Sequence, residues 1–217
     1  MNLRALSLLI AFSIAPTNLV FGAEKSVVVG DFSKSSSVGW ENKVFKGETK
    51  YSFVYDPTTK TTVLQAVSNA AASGRYRQLR VDLTKTPFLN WSWKVLDGLS
   101  GIDENSKAGD DFSARIYVVV DRGIMSSLSV NYVWASMHPT ESAWTSPYTK
   151  RVKLLAVDTG TKGLNSWKHY KRNVQSDLGT LFGENVSFID AIALMTDTDN
   201  SGGHARTFYG DIWFSSQ

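Results

Sequence analysis

Arg115-Ile116-Tyr117-Val118-Val119-Val120 carries the densest β-strand signal in the chain. β-Branched and aromatic side chains fill it, and successive positions on a strand point to opposite faces. Both faces are then largely apolar, which predicts a central strand that is covered on both sides or lines an aromatic concave sheet. Working outward, Val130, Tyr132 and Trp134 alternate with Asn131, Val133 and Ala135 in the same manner. In Trp91-Ser92-Trp93-Lys94-Val95 the two indoles and Val95 share one face, and Ser92 and Lys94 take the other. That strand has one wet face, and its indoles read as core. Two more strands, over 188–195 and 207–214, each adjoin a loop rich in Asp and Gly.

The same alternation predicts strands over 27–29, 49–55, 62–68, 77–82 and 152–157, with Asp56-Pro57 and Thr86-Pro87 marking turns. About ten strands result. Only one segment has helical spacing: Val174, Leu178, Leu181 and Phe182 follow Asn173, and Gly183 is placed to end the helix in a left-handed cap. Many strands at short spacing, one short helix and no parallel crossover pattern predict an all-β fold. The expected form is an antiparallel two-sheet sandwich, jelly-roll-like. No internal repeat or linker interrupts it.

At the N-terminus, Met1-Asn2-Leu3-Arg4 supplies a short positive start, and an apolar run follows from Ala5 to Ala15. This pattern predicts a secretory signal peptide over 1–22, cut between Gly22 and Ala23. The run is too short for a hydrocarbon core, which needs about 20 residues, and no Cys follows it to take a lipid. The expected mature protein is periplasmic or secreted, a single β-sandwich domain over 23–217. A chain of that length buries enough surface to fold without disulfide or metal, and it contains no Cys. Its net charge of +3 comes from well-mixed residues. Lys168-His169-Tyr170-Lys171-Arg172, the densest basic stretch, reads as a solvated face, and nucleic acid is not an expected partner.

Candidates for nucleophilic or zinc chemistry are thin. The chain lacks Cys and G-x-S-x-G, and His138, His169 and His204 have no ligand spacing. Acidic residues are better placed, because Gly109-Asp110-Asp111 and Asp197-Thr198-Asp199-Asn200-Ser201-Gly202 each border an apolar strand. The second run resembles the first half of a calcium loop, but Phe208 stands where an EF-hand needs its bidentate Glu. A looser oxygen cage remains, in which Asp197, Asp199 and Asp211, or Asp111 in its place, supply carboxylates to calcium. In tight turns such side chains also satisfy backbone donors. Seven tryptophans form the other constellation. Secreted sandwiches that bind sugars stack indoles on pyranose faces while Asp, Asn and Arg bond the hydroxyls. Trp134 and Trp144 are the candidate platforms; Trp144 lies in the polar stretch 138–147, where burial is not expected.

Several longer motifs recur together: Phe45 to Tyr51, Leu89 to Val95, Ala108 to Val118, Tyr132-Val133-Trp134, Arg172-Asn173-Val174, Asp190 to Asn200 and Tyr209-Gly210-Asp211-Ile212. In this combination the chain resembles a family of exported bacterial proteins catalogued as a domain of unknown function. The resemblance implies a sandwich akin to carbohydrate-binding modules, and it brings no catalytic residues.

Three readings of function follow. The first is a binding module for a saccharide or similar polyhydroxylated ligand, with Trp134 and Trp144 stacking, Asp111 and Arg115 bonding polar groups, and calcium at the Asp197/Asp199 loop. The second is an envelope glycan hydrolase or lyase using paired carboxylates from the two acidic loops, which need to stand about 5–10 Å apart. The third is a purely structural envelope protein.

Overall fold

The computed structural model describes residues 26–123 and 126–217; the expected leader over 1–22 lies outside them. Fourteen strands and one α-helix are present among the described residues. In chain order they are β1 (Ser26–Gly30), β2 (Glu41–Lys46), β3 (Lys50–Asp56), β4 (Thr61–Asn69), β5 (Ala72–Asp82), β6 (Phe88–Asp97) and β7 (Arg115–Val120). Then follow β8 (Leu128–Ala135), β9 (Ala143–Thr145), β10 (Val152–Thr159), β11 (Lys168–Asn173), α1 (Val174–Phe182), β12 (Phe188–Met195), β13 (His204–Tyr209) and β14 (Ile212–Ser215). They make two seven-stranded sheets packed as a jelly-roll-like sandwich.

The first sheet runs β1-β14-β6-β13-β4-β3, with β11 also on β6. Strands β13 and β14 lie end to end along one side of β6: Tyr209 faces Trp93 and Trp213 faces Asn90. The span expected as one strand over 207–214 is thus two, kinked at Gly210-Asp211, where Gly210 donates to the Ser92 carbonyl at 2.9 Å. A Cβ at Gly210 would overlap the Ser92 hydroxyl, so any larger residue here must turn that hydroxyl away.

The second sheet runs β2-β5-β12-β7-β8-β10-β9. One pair departs from the expected antiparallel pattern, since β10 lies parallel to β8. The reason is topological: β9 takes the edge, antiparallel to β10, and β10 folds back between it and β8.

Strand alternation divides β7 cleanly. Ile116 and Val118 enter the main core, while Arg115, Tyr117 and Val119 face outward from the sandwich. Trp91 sits at the core's centre, stacked between Tyr132 at 5.1 Å and Tyr170 at 5.0 Å, and Trp93 meets it edge-on at 5.7 Å. Such pairs add roughly 0.5–1.5 kcal/mol each beyond their area burial. The helix forms where its caps dictate. Asn173 Oδ1 accepts from the Ser176 amide at 3.0 Å, and Gly183 closes the other end at φ 71°.

Candidate functional site

The outward face of the second sheet is hollowed where β2, β5, β12 and β7 adjoin. Small residues make the floor. Gly74 on β5 lies opposite Met195 on β12, and Ala193 opposite Tyr76. Larger side chains make the walls, so one hollow of about 350 Å3 is lined by Phe45, Tyr76, Tyr117, Val119 and Met195, with Lys43 and Arg75 at its border. A second of about 330 Å3 adjoins it, sharing Phe45, Tyr117 and Met195 and reaching Tyr148. The pair form one groove, apolar at one end and charged at the other.

The charged end is built from two strand termini. Strand β7 begins at Arg115, just after Asp110-Asp111, and Asp197-Thr198-Asp199-Asn200 follows β12, its neighbour in the sheet. Gly109 lets the first loop pack down, because a Cβ there would overlap the Asp103 carbonyl. Arg115 Nη2 donates to Asp197 Oδ2 at 2.6 Å and to the Asp110 carbonyl at 3.2 Å, and Arg115 Nη1 lies 3.6 Å from Asp110 Oδ2. Asp111 accepts from the Asn200 backbone and side-chain amides, both at 3.2 Å, and from the Ser201 amide at 2.6 Å, so it pins the second loop. Asp111, Asp197 and Asp199 each offer one oxygen within 4.8 Å of the others.

Asp197 and Asp110 therefore contact one buried guanidinium with Asp111 close by, while Asp199 pairs with Lys46 Nζ at 3.8 Å. Burial pushes Asp197 up to about 8, and Asp110 and Asp111 add to the rise against the pull of Arg115. Asp110 is likewise raised, first by burial. Burial opposes the charge on Arg115, but Asp197 and its neighbours outweigh it and hold the guanidinium firmly protonated. Asp197 Oδ1, Asp110 Oδ1 and Arg115 Nε have no hydrogen-bond partner. A buried polar atom left unpaired is costly; Nε is a donor, but the two orphan carboxylate oxygens are acceptors and fit a divalent cation with oxygen ligands.

The residues expected from sequence are not all brought together. Arg115, Asp197 and Asp199 line the groove, and Asp111 lies beneath its charged end. Trp134 does not: it is 1% exposed, belongs to the main core and donates from Nε1 to the Gly160 carbonyl at 2.8 Å. Trp134 alternates with Val133 and Ala135 as its strand requires, but the face it occupies is the inner one. Trp144 is half-buried on a satellite cluster with Phe112 and stacks on His138 at 3.8 Å, outside the groove lining. Asp211 is also elsewhere. Its carboxylate accepts from the Ser33 amide at 2.7 Å and hydroxyl at 2.6 Å, and Asp111 takes the position beside Asp197 and Asp199 that Asp211 was expected to fill. Phe45, Tyr76, Tyr117 and Tyr148 were missed as ring surfaces. Only Tyr117 carried a sequence signal, as the aromatic on the second apolar face of its strand.

Fold and site together define an all-β sandwich with an aromatic groove on one sheet and a carboxylate cage at the groove's end. The chain belongs to the family described as "Protein of unknown function (DUF3047)", which matches residues 38–213. No curated protein matches it. Among solved structures it is similar to the family 30 carbohydrate-binding module of a cellulosomal cellulase of Clostridium thermocellum. That match has 13% identity and TM-score 0.48, covering 89% of this chain and 98% of that one. It is also similar to the xyloglucanase domain of NopAA, a type three effector from Sinorhizobium fredii, at 9% identity and TM-score 0.49, covering 90% and 99%. A family 29 carbohydrate-binding module from Piromyces equi matches at 12% identity and TM-score 0.43, covering 90% and 93%.

Proposed function

We propose that the chain is an exported binding module whose groove across β2, β5, β12 and β7 takes a saccharide or similar polyhydroxylated ligand. In this reading Asp111, Asp197 and Asp199 hold calcium at the charged end. The observation that carries it is the pairing of ring walls with convergent oxygen acceptors in one hollow. Tyr117, Tyr76 and Phe45 offer flat apolar surface to a pyranose, and the carboxylates and Asn200 offer bonds to hydroxyls. Calcium, when bound, neutralises the surplus negative charge and ties the loops after β12 and before β7. Titration calorimetry of the purified chain against a panel of oligosaccharides tests the reading. Binding that is lost in Tyr117→Ala supports it, and no heat with any member overturns it. Export is tested separately: the protein recovered from a host envelope fraction should begin at Ala23, and an intact Met1 would sink that part.

A glycan hydrolase or lyase is favoured by one observation, the convergence of both acidic loops around Asp197, a carboxyl raised into the range of a general acid. Against it, Asp111 already accepts from the Asn200 and Ser201 amides, and the cage oxygens lie within 4.8 Å of one another, closer than the roughly 5–10 Å that paired glycosidase carboxylates use. Reducing-sugar release from any oligosaccharide that binds separates the two readings.

A further inference from the structure

Resting on the groove reading above, the geometry points to a shared shell: the ligand itself completes the coordination of the cation, through two adjacent hydroxyls of one sugar residue. The carboxylate cage alone would not justify a site, since acidic side chains gather in turns for other reasons. What adds weight is Asp197. Its side chain is 3% exposed, Oδ2 is committed to Arg115, Oδ1 has no partner, and the carboxylate stands in the cluster with Asp111 and Asp199. That atom is left for a cation.

The three caged carboxylates, even joined by the unpaired Asp110 Oδ1, reach only the lower limit of a calcium shell. Calcium takes roughly six to eight oxygens at about 2.3–2.6 Å. Three carboxylates, one of them with an oxygen already spent on Arg115, fall short of that number. Neighbouring carbonyls are engaged: that of Asp110 by Arg115 Nη2 and Asn200 Nδ2, and that of Asp199 by Lys46 Nζ at 3.0 Å. Asp111 and Asp197 are buried and approach from below, whereas Asp199 and Asp197 also line the hollow shared with Tyr117 and Tyr148. The open coordination positions therefore face the groove. Vicinal hydroxyls of a pyranose form a five-membered chelate with a cation, and a ring held that way brings its apolar face against the tyrosines. Affinity for the two ligands is then reciprocal, each raising the other by the same factor.

The experiment is calorimetry on the full chain with two probes, calcium alone and a panel of manno-, gluco-, galacto- and xylo-oligosaccharides, each run in calcium and in EGTA. The expected result is that any oligosaccharide that binds does so at least tenfold more tightly in calcium, and that calcium binds tighter by the same factor once that oligosaccharide saturates the groove. Asp199→Asn, a substitution at a partly exposed side chain, abolishes both effects, while Tyr117→Ala weakens the sugar and leaves calcium binding intact; circular dichroism confirms that both variants fold. If an oligosaccharide binds equally in calcium and EGTA, the groove reading stands and the shared shell is overturned. If calcium does not bind at all, the shared shell is likewise overturned and the groove reading is judged on the EGTA arm. If calcium binds and no oligosaccharide does, both fall.

Discussion

Arg115 Nη2 and Asp197 Oδ2 lie 2.6 Å apart with both side chains buried, and through them the start of β7 is tied to the loop that follows β12. A buried pair of this kind is not a large net source of stability, because desolvation offsets most of its attraction. Breaking it is another matter. Arg115→Leu leaves Asp197, already pushed up to about 8, to take up a proton and sit buried without its donor, and a loss of about 1–3 kcal/mol is expected from urea unfolding at pH 7. The double variant Arg115→Leu/Asp197→Leu should recover a large part of that loss, since Asp197 then no longer leaves a buried carboxyl without its donor.

A second buried pair gives a pH dependence of known sign. Lys94 Nζ donates to both oxygens of Asp56, at 3.0 and 2.9 Å, and Trp167 Nε1 donates to Oδ2. Burial works to raise the Asp56 carboxyl, but these hydrogen bonds outweigh it and hold it below the ordinary aspartate range. A carboxyl whose native value is depressed contributes stability above its unfolded value, about 3.9, and that contribution is lost as pH falls through the native one. Wild type should therefore lose stability more steeply than Asp56→Asn between neutral and acid pH. At pH 7 the variant should be about 3–5 kcal/mol less stable, with Lys94 left unpaired among Trp167 and Phe208. Urea midpoints collected across that range check both statements.

These clusters also mark where sequence reading succeeds. Alternation located β7, β8, β12 and the indoles of β6 because each has one face committed to the core, and the single helix was legible through Asn173 and Gly183. It missed β2, which is exposed along its whole length, and β9, which has three residues. It also missed β11, Lys168–Asn173, a strand of mostly charged and polar residues that joins β6 by backbone pairing. Strands held by their backbones at a sheet edge leave little periodic trace. For the candidate site, proximity to a strand end singled out Asp111, Arg115, Asp197 and Asp199, which the fold brings near one another. Which ends are neighbours depends on strand order, and that order placed Asp211 beside Ser33 instead. Trp134 lies in the core for a related reason: alternation says that Trp134 and Val133 face opposite ways, without saying which way is in.

Trp134 accordingly separates packing from recognition. It fills the core and bonds the Gly160 carbonyl, so Trp134→Phe leaves a void and an unpaired carbonyl and should cost about 2–4 kcal/mol. Any ligand affinity measured on the folded variant should stay within about twofold of wild type, an expectation that follows from its facing the core and not the outer groove. Thermal unfolding and calorimetry on one preparation report the two quantities.

Calcium should act on the fold as well as on the site. A ligand that binds only the native state at about 100 times its dissociation constant adds about 2.7 kcal/mol, which for a chain of this size is a rise of about 5–10 °C in Tm. Scanning calorimetry in calcium and in EGTA reads it directly, and Asp199→Asn should erase the difference. Magnesium should do much less, because it demands a tight octahedral shell and gives up its waters reluctantly.

The groove floor supplies the last test, because it is made by the smallness of Gly74 and Ala193. Neither residue belongs to the core, and Ala193 is partly exposed between Tyr76 and Tyr117 on adjacent strands. Ala193→Phe should fill the hollow with a ring that the neighbouring tyrosines accommodate, leaving stability within about 1 kcal/mol, as expected for a substitution outside the core. Ligand affinity should fall more than tenfold while calcium-dependent thermal stabilisation is unchanged, since the carboxylate cage lies one hollow away. Undiminished ligand affinity in a folded Ala193→Phe protein would place the binding surface somewhere other than the outer face of β5 and β12.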